Sequence, residues 1–381
     1  MSEASLTSYD LSLSKNAQEC PPKLIQFQKI ESVIQNLLST REGIEEILSS
    51  QQEALRMGCT SKDSESEISR LPIQTLGQPP QPTLKCGEAA QVCIKTGYKQ
   101  GGDVMVCKIA AGGDGVGNTG AVLVFNQITL RLSAILCDEG LLTEVRTAAA
   151  CVFSSRMMLS MNNNHDLSSI KKIGIIGGGV QAVWQLRFLG AMLNENQKNV
   201  VIRTQSKESA GTFIEKMTKS SYLPDREWSF EYYETITNGG KGFMECQLIH
   251  TLTPARSPVL FLEDISVGGG NSSPLHITCV GADSQGKCEI DPKIIQRANC
   301  LLCDSIPQSK ERGEFQSSRN LDYNNLIEIG SIVDNDEFNS FCSKLVGDDD
   351  TNNDKPFLSI FDSSGLAIQD VEIADLISKH L

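Results

Sequence analysis

The rhythm of apolar and polar positions changes along the chain, and each change marks an element. The first 20 residues are polar and Ser-rich and predict a loose arm. Ser39 and Glu42 are spaced as a capping box. After them Ile44, Ile47, Leu48 and Leu55 fall close to one helical face, which Gly58 can end. Residues 60–70, charged and Ser-rich, and the segment from Gly77 through its prolines read as loops or extended chain. Apolar runs from Val104 to Ile109, Ala121 to Phe125 and Leu132 to Leu136 predict three strands, the first two separated by the glycine-rich stretch 111–118. Thr143 is placed to cap a long helix through Ala148 and Ala150. This half reads as an α+β layer.

From Lys171 the pattern differs. Lys172 to Ile176 is a short apolar run that flows straight into glycines. Ala182, Leu186, Leu189 and Met192 then repeat at helical spacing, Val200 to Ile202 form a second apolar run, and another helix follows. Strand, helix and strand in that order begin a parallel sheet. Further strands are expected at Leu248 to His250, His276 to Val280, Cys300 to Cys303 and Leu358 to Phe361, and the acidic run 347–354 is expected to be a solvated loop. The fold class is therefore α/β, and 381 residues suffice for one large or two medium domains.

Composition narrows the functions. With 34 Lys and Arg against 47 Asp and Glu, the net charge is −13, which argues against a nucleic-acid or anionic-membrane partner. No apolar run approaches the roughly 20 residues of a membrane span, and no secretory signal is visible at the N-terminus. Thirteen cysteines, an odd number, are scattered without a compact framework, which predicts reduced thiols and a cytoplasmic location. Cys300 and Cys303 have CxxC spacing but sit in an apolar run, so core packing is the better reading than metal or redox chemistry. The four histidines form no paired motif, so no metal site is expected, and catalysis would rest on Lys, Arg, Asp or Glu.

Four features carry candidate chemistry. Gly177-Gly-Gly-Val-Gln-Ala182 is a GxGxxA turn between a predicted strand and a predicted helix, the context of a dinucleotide site. Gly177 permits the tight turn, Gly179 the approach of a pyrophosphate to the backbone, and Ala182 close helix packing. At the end of the second strand, Arg203-Thr-Gln-Ser206 replaces the carboxylate that NAD sites favour. A cation with hydroxyls suits a 2′-phosphate, so NADP(H) is favoured over NAD(H). Arg146 falls in the first turn of the helix after Thr143, where guanidinium and helix dipole can hold one anion together, and Lys108 sits inside an apolar strand. By pattern alone a solvated residue is the better reading for both. Asp283 follows a strand and can be a general acid/base or only a turn former.

In combination these segments resemble the ornithine cyclodeaminase/μ-crystallin family. The carriers are Leu142-Thr-x-x-Arg146-Thr-Ala-Ala, Ile176-Gly-Gly-Gly-Val-Gln-Ala, Thr251-Leu-Thr-Pro254, His276 to Asp291 with its Val280-Gly-Ala-Asp283 and Gly286-Lys287, and Phe361-Asp-Ser-Ser-Gly-Leu-Ala-Ile-Gln-Asp370. The resemblance implies a homodimer with a substrate-binding and dimerisation platform over 1–150, completed by a C-terminal helix over 364–381. A Rossmann domain over 151–363 is inserted between them. It implies Lys108 and Arg146 on the substrate carboxylate, Ser364 facing substrate, and Asp283, with Lys108, as the catalytic groups. Val180, Gln181, Thr204, Thr253, Lys287 and Ser363 would face the cofactor, beside Gly177, Gly179, Arg203 and Ser206 from the turn and strand end. The implied activity is NAD(P)-dependent reduction of a ketimine, or dehydrogenation of an amino acid, at the α-carbon of a small amino acid or cyclic imine carboxylate. Ornithine cyclodeamination and a non-catalytic, crystallin-like NADP binder are the rivals. Two departures touch the substrate pocket: Pro72-Ile-Gln74 carries Gln where the family has Arg, and the glycine-rich segment ending at Asn118 replaces a Pro-x-Asn loop.

Overall fold

Two helices begin the fold because apolar residues recur there at helical spacing. In the computed structural model, α1 (Phe27–Leu38) buries Ile30, Val33, Ile34 and Leu37, and α2 (Arg41–Gly58) buries Ile44, Ile47, Leu48 and Leu55. The structure describes residues 21–59, 74–77, 91–112, 119–160, 170–193, 198–220, 223, 228–234, 242–265, 274–318, 326–346 and 357–381. The expected N-terminal arm, the 60–70 loop and the acidic 347–354 loop lie outside them, as do Pro72, Ile73 and residues 113–118. The cap of α2 is Thr40, not Ser39. Thr40 Oγ1 accepts from Gly43 N at 3.0 Å, whereas α1 runs up to Leu38 and Ser39 closes it by donating to Asn36 O at 2.6 Å.

A six-stranded sheet follows, in the order β1-β6-β5-β4-β3-β2. Its strands are β1 (Lys23–Ile25), β2 (Gln74–Gly77), β3 (Gln91–Tyr98), β4 (Val104–Gly112), β5 (Thr119–Asn126) and β6 (Leu132–Leu136). All neighbours are antiparallel except β1 with β6. Period-two alternation turns Val106, Lys108, Val122 and Val124 inward. On β4 the next residue, Ile109, faces out and is 38% exposed. α3 (Leu141–Leu159) follows β6. Its N-cap position is Gly140 (φ 88°), with Asp138 Oδ2 accepting from Leu142 N at 3.1 Å. Thr143, expected as the cap, lies inside the first turn and is freed for another partner.

The second half is an eight-stranded, wholly parallel sheet in the order β15-β14-β16-β12-β10-β7-β8-β9. Its elements, with a small β11-β13 pair beside it, are β7 (Lys172–Ile176), α4 (Val180–Met192), β8 (Lys198–Arg203), α5 (Lys207–Lys219), β9 (Trp228–Tyr232), β10 (Leu248–Thr251), β11 (Arg256–Leu260), β12 (Leu275–Cys279), β13 (Cys288–Ile290), α6 (Pro292–Arg297), β14 (Cys300–Cys303), α7 (Ile306–Glu311), β15 (Leu326–Glu328), α8 (Asn335–Val346) and β16 (Leu358–Asp362). The chain grows outward from β7 to β9, then returns to build the other side from β10. The reversal between β7 and β10 opens a crevice at the carboxyl ends of the strands, the position where such sheets bind ligands. β14 is a wholly buried strand, as the apolar run around Cys300 and Cys303 predicts.

α9 (Ala367–Lys379) returns to lie on β3 and β4 and packs against α2 and α3. The two halves share α3. The boundary expected at residue 150 falls inside this helix, and Ile329, Ile332, Val333 and Phe338 join the core that holds α1 and α2. His276 on β12 fastens the halves together, with Nε2 3.2 Å from Ser154 Oγ on α3 and Nδ1 2.8 Å from Ser359 Oγ on β16. No helix among the described residues is long and apolar enough to cross a membrane.

Candidate active site

The inner face of β4 presents a lysine to α9. Lys108 is 3% exposed, and its Nζ donates to Asp370 Oδ1 at 2.7 Å and Thr143 Oγ1 at 3.1 Å. Arg146, one turn into α3, is 4% exposed. Its Nε lies 3.4 Å from Asp370 Oδ1 and its Nη1 donates to Gln369 Oε1 at 3.2 Å. Neither cation is the solvated residue that its local pattern favoured, since both are buried. The reason is Asp370, which α9 brings from the far end of the chain as counter-ion to both. Burial drives the Asp370 carboxyl up, but Lys108, Arg146 and Lys95 more than offset it and hold it below the usual range. Burial lowers the Lys108 ammonium, with Asp370 opposing.

Lys95 is the residue that sequence reasoning missed. It stands directly opposite Lys108 in the β3–β4 register and donates to Gly365 O at 3.3 Å. Burial first, then the like charges of Lys108 and Arg146, bring its ammonium down to about 7. Gly365 has φ 84°, and a Cβ there would lie 2.9 Å from Arg146 Nη2 and 3.2 Å from Lys95 Nζ. Glycine thus lets the two cations converge. Asp304 fixes this turn by accepting from Ser364 Oγ and Gly365 N, both at 2.6 Å. The Ser364 hydroxyl, which the resemblance directs to substrate, is engaged there. Among the described residues, Arg146 Nε, Gln369 Nε2 and Asp370 Oδ2 are buried without a hydrogen-bond partner. The site therefore holds polar atoms that its own side chains do not satisfy.

The turn expected to hold a nucleotide joins β7 to α4. Gly177 has φ 102°, and a Cβ there would come within 2.8 Å of Leu252 O. Gly179 precedes the first turn of α4, which no side chain caps, and a Cβ on it would meet nothing within 4 Å. Open space before an uncapped helix N-terminus fits a pyrophosphate. Val180 is partly open to solvent, while Gln181 Nε2 donates to Glu144 O at 3.2 Å. Thr204 packs beside Gly178, and exposed Ser206 caps α5 by accepting from Ser209 N at 3.1 Å.

Arg203 departs from expectation. Its Nη1 and Nη2 are bound to both Asp264 oxygens, at 2.8 and 2.6 Å, Nη1 also donates to Val259 O, and the guanidinium lies over Tyr233 and Phe243. A group so committed is not free to hold a phosphate. Thr253 likewise spends its amide and hydroxyl on Glu289 Oε1, at 2.6 and 2.7 Å. Glu289 also accepts from Thr251 Oγ1 and Gly281 N, so this buried acid stitches together the segments after β10 and β12. Ser363 is buried against the Cys151 thiol.

Asp283 leaves β12 on the loop before β13. Its side chain is 52% exposed and accepts from Lys287 Nζ at 2.6 Å, while Arg312 Nε holds its backbone carbonyl at 2.8 Å. It makes no ion pair with Lys108 or Arg146, both of which reach Asp370 instead. Arg312 links the two walls, since it lies within electrostatic reach of Lys95. Of the groups missed at first, Asp370 was visible as the last position of a motif. Glu289 likewise lies inside the motif from His276 to Asp291, whereas Lys95, Asp304 and Arg312 have no local signal.

One further observation decides the family. The family model for ornithine cyclodeaminase/mu-crystallin matches residues 110–381, well over half of the chain. The chain belongs to the ornithine cyclodeaminase/mu-crystallin family. Within it, the iminosuccinate reductase of Paracoccus denitrificans is 28% identical over 297 residues, covering 74% of this chain and 81% of that protein. Two solved structures share the fold. One is an archaeal alanine dehydrogenase dimer with bound NAD (TM-score 0.63, 19% identity, 94% of this chain and 95% of that one). The other is the Δ1-pyrroline-2-carboxylate reductase of Thermococcus litoralis with NADH and L-proline (TM-score 0.65, 19% identity, 94% and 97%). The fold is thus that of nicotinamide-binding members of the family.

Proposed function

We propose that the protein is an NAD(P)-dependent ketimine reductase or amino-acid dehydrogenase, acting at the α-carbon of a small amino acid or cyclic imine carboxylate. The observation that carries this is the pairing of a buried cation pocket, Lys108 with Arg146, with the open glycine turn before α4 in one α/β fold. When bound, a nicotinamide supplies or takes up the hydride. Gly177, Gly179 and the first turn of α4 would hold its pyrophosphate. Lys108 and Arg146 hold the substrate carboxylate, which fixes the α-carbon in place. Asp283, the half-exposed acid, moves the proton at the substrate nitrogen, so that reduction of the imine adds one hydride to carbon and one proton to nitrogen.

The finer reading is NADP(H). With Arg203 committed to Asp264, it rests on the missing carboxylate at the end of β8 and on the exposed Ser206 with the N-terminus of α5. The test is oxidation of NADPH and NADH by purified protein with a panel of cyclic and acyclic imine carboxylates. Saturable oxidation with NADPH preferred is expected. Proline and ammonia formed from ornithine without net oxidation would make it a cyclodeaminase, and binding with no turnover a crystallin-like carrier.

A homodimer is also proposed. The outer face of the six-stranded sheet presents Met105, Cys107, Ile109, Leu123 and Phe125, apolar residues that alternate with the buried set, and the archaeal relative is a dimer. Ile109→Lys is expected to shift the protein from dimer to monomer in sedimentation experiments. An unshifted dimer would place the interface elsewhere. None of the eleven described cysteines is disulfide-bonded to another of them, which supports a reducing, cytoplasmic setting.

A further inference from the structure

Lys95 has a peculiar position for a lysine. Lys108 and Arg146 are both matched by Asp370, whereas no carboxylate among the described residues lies within ion-pair distance of Lys95. Its polar contact is a neutral carbonyl, that of Gly365. Around it stand three cations: Lys108 opposite on β4, Arg146 converging on the same glycine, and Arg312 from the facing wall. Such crowding destabilises the empty site. A lysine with a purely structural role would be expected to have an acid beside it, as Lys108 has. Lys95 also remains partly open to solvent, while the two cations behind it are buried.

On the reading given above, the α-carboxylate takes up Lys108 and Arg146. That leaves Lys95 facing the same space with a neutral carbonyl as its contact and, among the described residues, no carboxylate within ion-pair distance. We propose that Lys95 is a specificity residue holding a second carboxylate, so that the substrate is a short α-imino or α-amino dicarboxylic acid. The inference rests on the proposed function and deepens it. The shortness follows from Gly365: Arg146 and Lys95 approach one point, so the two carboxylates they serve are separated by only a few bonds. A second anion also restores charge to an ammonium that burial and its neighbours have brought down to about 7.

The test has two readouts on the full-length protein. In titration calorimetry, succinate is expected to bind at least about 10-fold more tightly than butyrate, and Lys95→Met to abolish that preference while Lys95→Arg retains most of it. In turnover with 2-oxo acids plus ammonia, Lys95→Met is expected to lower kcat/KM for the dicarboxylic substrate roughly 30-fold or more relative to the monocarboxylic one, through KM. Equal binding of butyrate and succinate by the wild type would overturn the proposal. So would a kcat collapse with both substrates alike, which would place Lys95 at the reacting nitrogen. Turnover confined to monocarboxylic imines would sink this inference and leave the proposed function standing. No turnover with any imine would sink that function, and the succinate preference would still be read from binding.

Discussion

Asp283→Asn is expected to lower kcat by about 10²–10⁴-fold while leaving cofactor and carboxylate binding in place. The magnitude follows from which acids near the cleft are available to exchange a proton. Asp370 is fixed between Lys108 and Arg146, Asp304 holds Ser364 and Gly365, and Glu289 accepts from Thr251, Thr253 and Gly281. Asp283 has one side-chain partner, Lys287, and half its surface open. Asparagine keeps the shape and cannot carry the proton. Steady-state kinetics beside calorimetric binding of the cofactor check this. Full turnover by the variant would remove Asp283 from the mechanism.

The second large effect is on stability. Asp370→Asn leaves Lys108 and Arg146 buried with no charged partner between them and Lys95 beside them. Removing one member of a buried charged group destabilises by about 3–5 kcal/mol, and a loss in that range is expected in urea unfolding. Small carboxylates such as acetate should recover part of it, because an anion in the pocket supplies the missing negative charge. A variant as stable as the parent would mean that the cations shed their charge at little cost.

The parallel half of the fold was legible because its signals are local. The β7–α4–β8 unit is written as an apolar run, three glycines and a helical repeat, and the strands around Cys300 and Leu358 are plain apolar runs. The caps were less legible. Ser39 and Thr40 are adjacent cap formers, and only the length of α1 decides between them. Thr143 resembles a cap until Asp138 is seen to serve α3 from outside the helix. The site was legible as residues and illegible as partners. Lys108 and Arg146 could be named, yet nothing near them in sequence shows that they are buried. Arg203 appeared free because Asp264 lies 61 residues away. Lys95 could be singled out only after the β3–β4 register had set it beside Lys108.

Synthesis on the ribosome brings out a consequence of α9 supplying Asp370. Lys108 and Asp370 are 262 residues apart. At about 5–20 residues per second, that interval takes on the order of tens of seconds. For most of it the platform strands and α3 exist with their cations, and the acid that permits burial of those cations has not been made. Closing the sheet over Lys108 and Arg146 at that stage would strand bare charge in an apolar interior. The platform must therefore wait, open and hydrated, while the parallel sheet is completed downstream. The first half of the chain to emerge is the last to finish folding.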